Sequence, residues 1–267
     1  MVASKDTEQT ASPAPQRPEV AVVVPVLNEA GNVAPLIGEI RQVLDGRYDY
    51  EVVFVDDGSG DETADRLREI AAEFPRLSAL RHRRRCGQSA AIATGIAAAR
   101  APVIVTIDGD GQNDPAAIPQ LLEAFAAGGD RDNLMIAGLR AERRDSWLKR
   151  AASRFANVVR AGLLKDHTPD TGCGLKVFSR AAFLDMPRFD HMHRFLPALM
   201  VRRGGSVVSI PVNHRPRLRG TSNYGVLDRL WVGIADLCGV MWLQRRSSRP
   251  HVEELRESAD SAESTQR

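Results

Sequence analysis

Cysteine is scarce: the 267 residues contain three, Cys86, Cys173 and Cys238, widely spaced and with no C-x-x-C pair. This excludes a disulfide framework and a thiolate-clustered zinc site, and it fits a reducing compartment. Aromatic residues make up only 5%, and no stacking motif accompanies the basic residues, so a nucleic-acid partner is not expected. No G-x-x-x-x-G-K-[ST] segment occurs, which excludes a phosphate-loop NTPase. Gly58-Ser59-Gly60 begins like a dinucleotide fingerprint, but Thr63 stands where the third glycine belongs. The polar stretch from Met1 to Pro18 lacks the apolar segment of a signal peptide. The apolar run Leu230 to Leu243 has fourteen residues, short of the ~20 needed to span a bilayer.

What is present is an α/β pattern. Apolar residues make up 43% and charged residues 26%, enough for one domain with a sizeable core. Val20 to Val24 is a continuous β-branched run, as expected of a buried parallel strand. Asn32 to Leu44 shows helical spacing in Val33, Leu36, Ile37, Ile40 and Val43. Tyr50 to Val55 reads as a second strand, Asp61 to Phe74 as a helix, and Leu77 to Arg81 as a short strand. An alanine-rich helix from Ser89 to Arg100 and a strand from Val103 to Ile107 follow. This alternation predicts an open, mostly parallel sheet with helices on both faces.

The net charge of +2 conceals an asymmetry. Residues 1–139 carry 13 Lys and Arg against 21 Asp and Glu, a net −8, whereas residues 140–250 carry 21 against 8, a net +13. An acidic front half and a basic back half suit a protein that holds a divalent cation in one region and phosphates in another.

The acids fall directly after strands. Glu29 follows the first, Asp56 and Asp57 the second, and Asp108 and Asp110 the later one. In an open α/β sheet the ligand crevice lies beyond the carboxyl ends of the strands, so these five carboxylates are expected to converge. They would repel one another without a cation or donors between them. Asp108-Gly-Asp110-Gly-Gln112 is the sharpest element, because two carboxylates and an amide oxygen at alternate positions can face one hard cation. It is not an EF-hand: the sixth position is Asn113 and the twelfth is Pro119.

With these residues in view, three segments resemble the family 2 glycosyltransferases of the GT-A type. They are Pro25-Val-Leu27-Asn28-Glu29, Val55-Asp56-Asp57-Gly58-Ser59-Gly-Asp61-Glu-Thr63, and Asp108-Gly-Asp110-Gly-Gln112-Asn-Asp114-Pro115. Gly138-Leu-Arg140, Asp170-Thr-Gly172-Cys-Gly174 and Arg217-Leu-Arg-Gly220-Thr-Ser222-Asn-Tyr224 resemble the dolichol-phosphate mannosyltransferase-like branch, which includes bacterial polyprenyl-phosphate sugar transferases. The resemblance implies a GT-A (Rossmann-like) fold and inverting transfer of a sugar from a nucleoside-diphosphate donor, GDP-mannose or a UDP-sugar, to a dolichyl or undecaprenyl phosphate. It implies that Pro25, Leu27, Asn28, Glu29, Asp56 and Asp108 line the nucleotide-sugar pocket. Asp108, Asp110 and Gln112 would hold Mg²⁺ or Mn²⁺, with Asp110 and Arg140 as the catalytic residues. Arg150, Ser153, Arg217 and Ser222 would contact acceptor or donor phosphates. Leu27 stands where the branch often has Tyr, and Asn223 where it usually has Lys. Asp170 is open between a catalytic and an orienting role.

The run Leu230 to Leu243 contains Trp231 and Trp242, with Arg229, Arg245 and Arg246 at its ends. That suits an amphipathic helix lying in a membrane interface; packing on the protein's own core is the competing reading. The expected organisation is a disordered tail over 1–18, a glycosyltransferase domain over 19–225, a membrane-surface helix over 226–246 and a second tail over 247–267. The expected location is cytoplasmic, peripheral at the inner face of the membrane, either through this helix or through a separate small membrane protein. Two alternatives remain at this level: a family 2 transferase with a glycan or lipid hydroxyl as acceptor, and a non-catalytic nucleotide-sugar-binding scaffold.

Overall fold

The computed structural model describes residues 17–140, 162–164, 166, 168–216 and 226–246. Arg150, Ser153, Arg217, Ser222 and most of both expected tails lie outside them. The described elements run β1 (Val20–Val26), α1 (Ala30–Leu44), β2 (Tyr50–Asp56), α2 (Thr63–Glu73), β3 (Leu77–Arg81), α3 (Gln88–Ala98) and β4 (Val103–Thr106). Then come α4 (Ile118–Ala127), β5 (Leu134–Arg140), β6 (Lys176–Ser179), α5 (Arg180–Leu184), α6 (Leu196–Arg202), β7 (Ser206–Val212) and α7 (Val226–Arg245).

Seven strands form one sheet in the order β3-β2-β1-β4-β6-β5-β7. All neighbours pair in parallel except β6, which is antiparallel to both β4 and β5. The central strands are buried on both faces, which explains their unbroken β-branched composition. Val20, Val22, Val24 and Val26 of β1 pack with Val33, Ile37 and Ile40 of α1 and with Leu121 and Phe125 of α4. Ala21 and Val23 point the other way and pack with Ile92 and Ile96 of α3 and Leu199 of α6. The close seating of α3 depends on Gly95, where an added Cβ would lie 2.5 Å from Val23 Cγ1.

The helix starts differ from the sequence expectation for a tertiary reason. Helix α1 begins at Ala30 rather than Asn32 because the neighbouring loop caps it: the Glu29 and Ala30 amides donate to Thr63 Oγ1 (2.9 Å) and Asp61 Oδ2 (3.3 Å). Asp61 in turn precedes α2 instead of entering it, accepting from the Thr63 amide at 3.0 Å. First-turn amides have no partner within their own helix, and here Asp61 and Thr63 serve the start of both helices.

Helix α7 packs on the protein's own core and also carries exposed apolar residues. Val240, Leu237 and Met241 pack on Leu164, Phe195 and Ala198. Arg202 Nε donates to the Leu243 carbonyl (2.8 Å), and His191 Nδ1 lies 3.1 Å from Asp236 Oδ2. Elsewhere on the helix Ile234 and Trp242 are 44% and 60% exposed, and Cys238 lies between them in the sequence, also exposed. Among the described residues no helix is long and apolar enough to cross a membrane.

Candidate active site

The parallel strands point their carboxyl ends to one edge, and the antiparallel β6 starts there. That geometry gathers the site. Strand β4 delivers Asp108 and Asp110, β5 delivers Arg140, and the segment entering β6 delivers Asp170 to Gly174 and Lys176.

The acidic rim is stitched together by short-range bonds. Asn28, with a left-handed φ of 57°, donates its amide to Ser59 Oγ (2.8 Å) and accepts from the Gly60 amide (2.9 Å) at Oδ1. Glu29 accepts from Asn32 Nδ2 at 2.6 Å. Asp56 is buried and accepts from the Ser59 amide at 2.9 Å. Its second oxygen lies 3.1 Å from Arg81 Nε without an aligned hydrogen bond. Gly109 sits against Pro25 and Val26, where a Cβ would come within 2.9 Å of the Pro25 carbonyl oxygen. Pro25, Asn28, Asp56, Asp108 and Asp110 thus lie at one edge of the sheet, with Leu27 and Glu29 in the same connection between β1 and α1.

Asp57 departs from the expected convergence. It accepts from the amides of Cys86 (2.8 Å) and Gly87 (2.7 Å) and faces His82 Nδ1 at 2.7 Å, so it secures the β3–α3 loop. Asp57, His82 and Cys86 place potential ligand atoms within 4.8 Å of one another. His82 Nε2 is engaged with Thr94 Oγ1 (2.9 Å) and both Asp57 oxygens already accept. These donors are satisfied without an ion. Gly58, at φ +79°, completes this loop, because a side chain there would meet the Arg84 carbonyl carbon at 2.8 Å.

The Asp108–Gln112 loop has the character of a cation site. The Asp108 carboxyl is pushed up to about 6, first by burial and then by the negative charge of Asp110. It accepts from Gln88 Nε2 at 2.8 Å. Gly174 makes room for it: a Cβ there would fall 2.2–2.4 Å from the Asp108 carboxyl atoms. Two acids whose charges act on each other, with an amide side chain nearby in sequence at Gln112, fit a divalent ion that relieves their repulsion. The loop is braced from the end of β7. The Arg215 amide donates to the Gln112 carbonyl (2.8 Å), and its guanidinium binds Asp114 and Glu39, each at 2.7 Å. An isolated bridge pairs Asn113 with His214. The chain thus reaches Pro216 beside this loop, immediately before the segment of Arg217 and Ser222.

Facing Asp108 is a cavity of about 400 Å³, lined among others by Gln88, Thr106, Arg140, Thr171, Lys176, His193 and Arg194, a size typical of small-molecule sites (~300–1,000 Å³). Arg140 donates Nε and Nη2 to the two Asp170 oxygens at 2.6 and 2.7 Å. This bidentate pair is largely buried, and Asp170 raises the guanidinium pKa against the opposing effect of burial. Lys176 is buried; its Nζ donates to the Cys173 carbonyl and, at 3.5 Å, to that of Thr171. Burial lowers its pKa, while Cys173, Asp108 and Asp170 pull it upward. Thr106 Oγ1 donates to the Gly174 carbonyl at 2.7 Å, locking this turn to β4.

Lys176, His193 and Arg194 were not singled out in the sequence. Lys176 carried one signal, a charge inside the apolar run Leu175 to Phe178. His193 and Arg194 carried none, because their place in the wall depends on how α6 packs.

Comparison with known proteins agrees with this architecture. The Glycosyl transferase family 2 profile matches residues 21–186. A dodecaprenyl-phosphate galacturonate synthase from Rhizobium johnstonii is 32% identical over 237 residues, 87% of this chain and 69% of that protein. An undecaprenyl-phosphate 4-deoxy-4-formamido-L-arabinose transferase from Edwardsiella ictaluri is 35% identical over 211 residues, 78% of this chain but 63% of that protein. The chain thus spans roughly two thirds of the length of these relatives. Among solved structures, glucosyl-3-phosphoglycerate synthase from Mycobacterium tuberculosis, in complex with Mn²⁺, UDP-glucose and glycerol 3-phosphate, superposes with a TM-score of 0.63 at 18% identity, covering 85% of this chain and 80% of that one. The sheet order, the acidic loop after β4 and the profile match together place this chain in glycosyltransferase family 2.

Proposed function

We propose that the protein transfers a sugar from a nucleoside-diphosphate donor to a polyprenyl phosphate. The observation that carries this reading is the meeting of the Asp108–Gln112 loop with the Arg140–Asp170–Lys176 wall across one cavity. Acids there can hold a cation against a diphosphate, and cations there can hold phosphate. Support comes from relatives whose names give dodecaprenyl and undecaprenyl phosphate as substrates.

In this reading Pro25, Leu27, Asn28, Glu29 and Asp56 receive the nucleoside. The buried Asp56 oxygen that lacks an aligned donor accepts an N–H from the base. Asp108, Asp110 and Gln112 hold Mg²⁺ or Mn²⁺, which when bound neutralises charge on the departing nucleoside diphosphate. Arg140, fixed through two bonds to Asp170, presents its remaining N–H groups to phosphate. Asp170 has both oxygens committed to Arg140, so it orients and does not abstract a proton. No general base is needed for this acceptor: a phosphate monoester has a second pKa of about 6 and is mostly dianionic at neutral pH. Alignment and charge then carry the catalysis, and attack from the face opposite the leaving group inverts the anomeric carbon. Arg150, Ser153, Arg217 and Ser222 are proposed as further phosphate contacts.

The protein works at a membrane surface in this account. The exposed Ile234 and Trp242 face of α7, with the basic Arg245 and Arg246 at its end, enters the interface of an anionic bilayer.

The test is a screen of radiolabelled UDP- and GDP-sugars with undecaprenyl phosphate and Mn²⁺ or Mg²⁺, followed by solvent extraction and mild acid. An extractable, acid-labile sugar phosphate is expected. An acid-stable glycoside would point to a hydroxyl acceptor, and no product with any donor would point to a non-catalytic binding protein.

A further inference from the structure

His193 stands in the cavity wall in a defined protonation state. It belongs to the short turn Met192–Arg194 that precedes α6. Its Nδ1 lies 2.7 Å from Ser89 Oγ, and its own backbone amide donates to the same oxygen at 3.1 Å. Ser89 is buried in the first turn of α3. A hydroxyl has one proton and two lone pairs. With the His193 amide occupying one acceptor position, the arrangement that uses the Ser89 hydroxyl proton has it donated to Nδ1. The ring proton then sits on Nε2.

The ring stays neutral. Burial, then the charges of Lys176, Arg194 and His191, lower its pKa to about 3. At working pH the side chain is therefore neither an acid nor a useful base; it is a fixed, uncharged N–H donor. The cavity it lines already has basic side chains at Arg140, Lys176 and Arg194 for anionic oxygens. An uncharged imidazole donor beside them suits an uncharged acceptor.

We propose that His193 is a specificity-determining residue that donates its Nε2–H to one hydroxyl of the transferred sugar. This deepens the proposed function and rests on the donor sugar occupying the cavity beside Asp108. The physical basis is the asymmetry of buried hydrogen bonds: a donor built to meet a hydroxyl penalises a sugar that leaves it unpaired more than it rewards one that pairs it. Ser89 acts as a positioning residue through the imidazole.

The experiment compares wild type, His193→Leu, His193→Gln and Ser89→Ala with a fixed panel: UDP-glucose, UDP-galactose, UDP-glucuronate, UDP-galacturonate and GDP-mannose, each with undecaprenyl phosphate and Mn²⁺. In His193→Leu, kcat/KM for the best donor is expected to fall about 30-fold, and the ratio between best and second donor to shrink by about 10-fold. His193→Gln, which retains an N–H donor, restores part of both. Affinity for UDP or GDP with Mn²⁺ stays within about twofold in all variants, since only the sugar contact is removed. Nitrogen-15 NMR of histidine-labelled wild type shows the Nε2–H tautomer, and Ser89→Ala weakens that preference. Two results would overturn the proposal: a uniform loss across the panel with discrimination intact, or an Nδ1–H tautomer in wild type. If the leucine variant fails to fold, the glutamine variant and the tautomer measurement still decide. A wild type that binds neither UDP nor GDP with Mn²⁺ would instead remove the nucleotide-sugar reading on which the proposal stands.

Discussion

Around β1, β2 and β4 each acid follows its own strand within a few residues, whereas the cations opposite are collected from β5, the start of β6 and the turn before α6. Both sets end at the same sheet edge, but they reach it differently. The acidic rim is a local consequence of parallel strands, because anything placed after a carboxyl end arrives in the crevice. The basic wall is a tertiary construction that depends on one antiparallel strand being inserted between β4 and β5. Mutations should therefore act on the two regions in different ways: on the rim they should change ligand binding and leave the fold intact, while on the wall they should disturb both.

The largest effect is expected on the rim. Asp110→Ala should lower turnover about 1,000-fold, since the several kcal/mol of charge stabilisation attributed to a bound metal would be lost. Its melting temperature should stay close to wild type, as read by calorimetric or fluorescence melting. On the wall, Arg140→Met leaves the Asp170 carboxylate buried without its bidentate partner. That should cost about 3–5 kcal/mol of stability together with activity, measured by denaturant unfolding. A rim variant that melts early, or an Arg140 variant of undiminished stability, would break the comparison.

Gly174 lies where the regions touch. Gly174→Ala puts a Cβ into the Asp108 carboxyl, and overpacking of this kind costs about 1–3 kcal/mol. Metal-assisted nucleotide binding should weaken by about tenfold, seen by titrating Mn²⁺ at fixed UDP or GDP.

A smaller effect follows from Asp108 titration. Its folded pKa of about 6 lies above the ordinary carboxylate value of about 4. The sign is thus destabilising for the ionised form: the cost is absent below the unfolded pKa, grows as pH rises through the folded pKa, and is full above it. A cation offsets the cost only where it exists. Mn²⁺ should therefore raise the melting temperature more at about pH 7.5 than at about pH 5, and Asp108→Asn should flatten the difference. The smallest effect concerns α7: Trp242→Ser should reduce partition onto anionic vesicles by about tenfold without altering nucleotide binding.

The same contrast explains what was legible in the sequence. The β-branched runs from Val20, Tyr50 and Val103 gave the strands, and the acids behind them gave the rim, because both are properties of contiguous residues. Asp57 was the exception. Two adjacent acids after β2 look equivalent in sequence, but their side chains alternate across the strand end, and only Asp56 remains with the rim. Lys176, His193 and Arg194 were not legible, since no periodicity records which side chain an antiparallel insertion or a turn will carry into a cavity. Arg140 and Asp170 were found through family resemblance, but the bond between them needed coordinates. For α7 the sequence posed packing and interface as alternatives; Leu237, Val240 and Met241 pack on the core, and the interface role is proposed from the exposed Ile234 and Trp242.

The strand-end acids at Asp108 and Asp110 are proposed to bind a divalent ion and, with it, a nucleoside diphosphate. Isothermal calorimetry of UDP and of GDP, with and without Mn²⁺ or Mg²⁺, tests it on wild type and Asp110→Ala. Uptake of one nucleotide that depends on the metal and disappears in the variant is expected. Uptake of neither nucleotide with either metal, or equal uptake by wild type and variant, would contradict it.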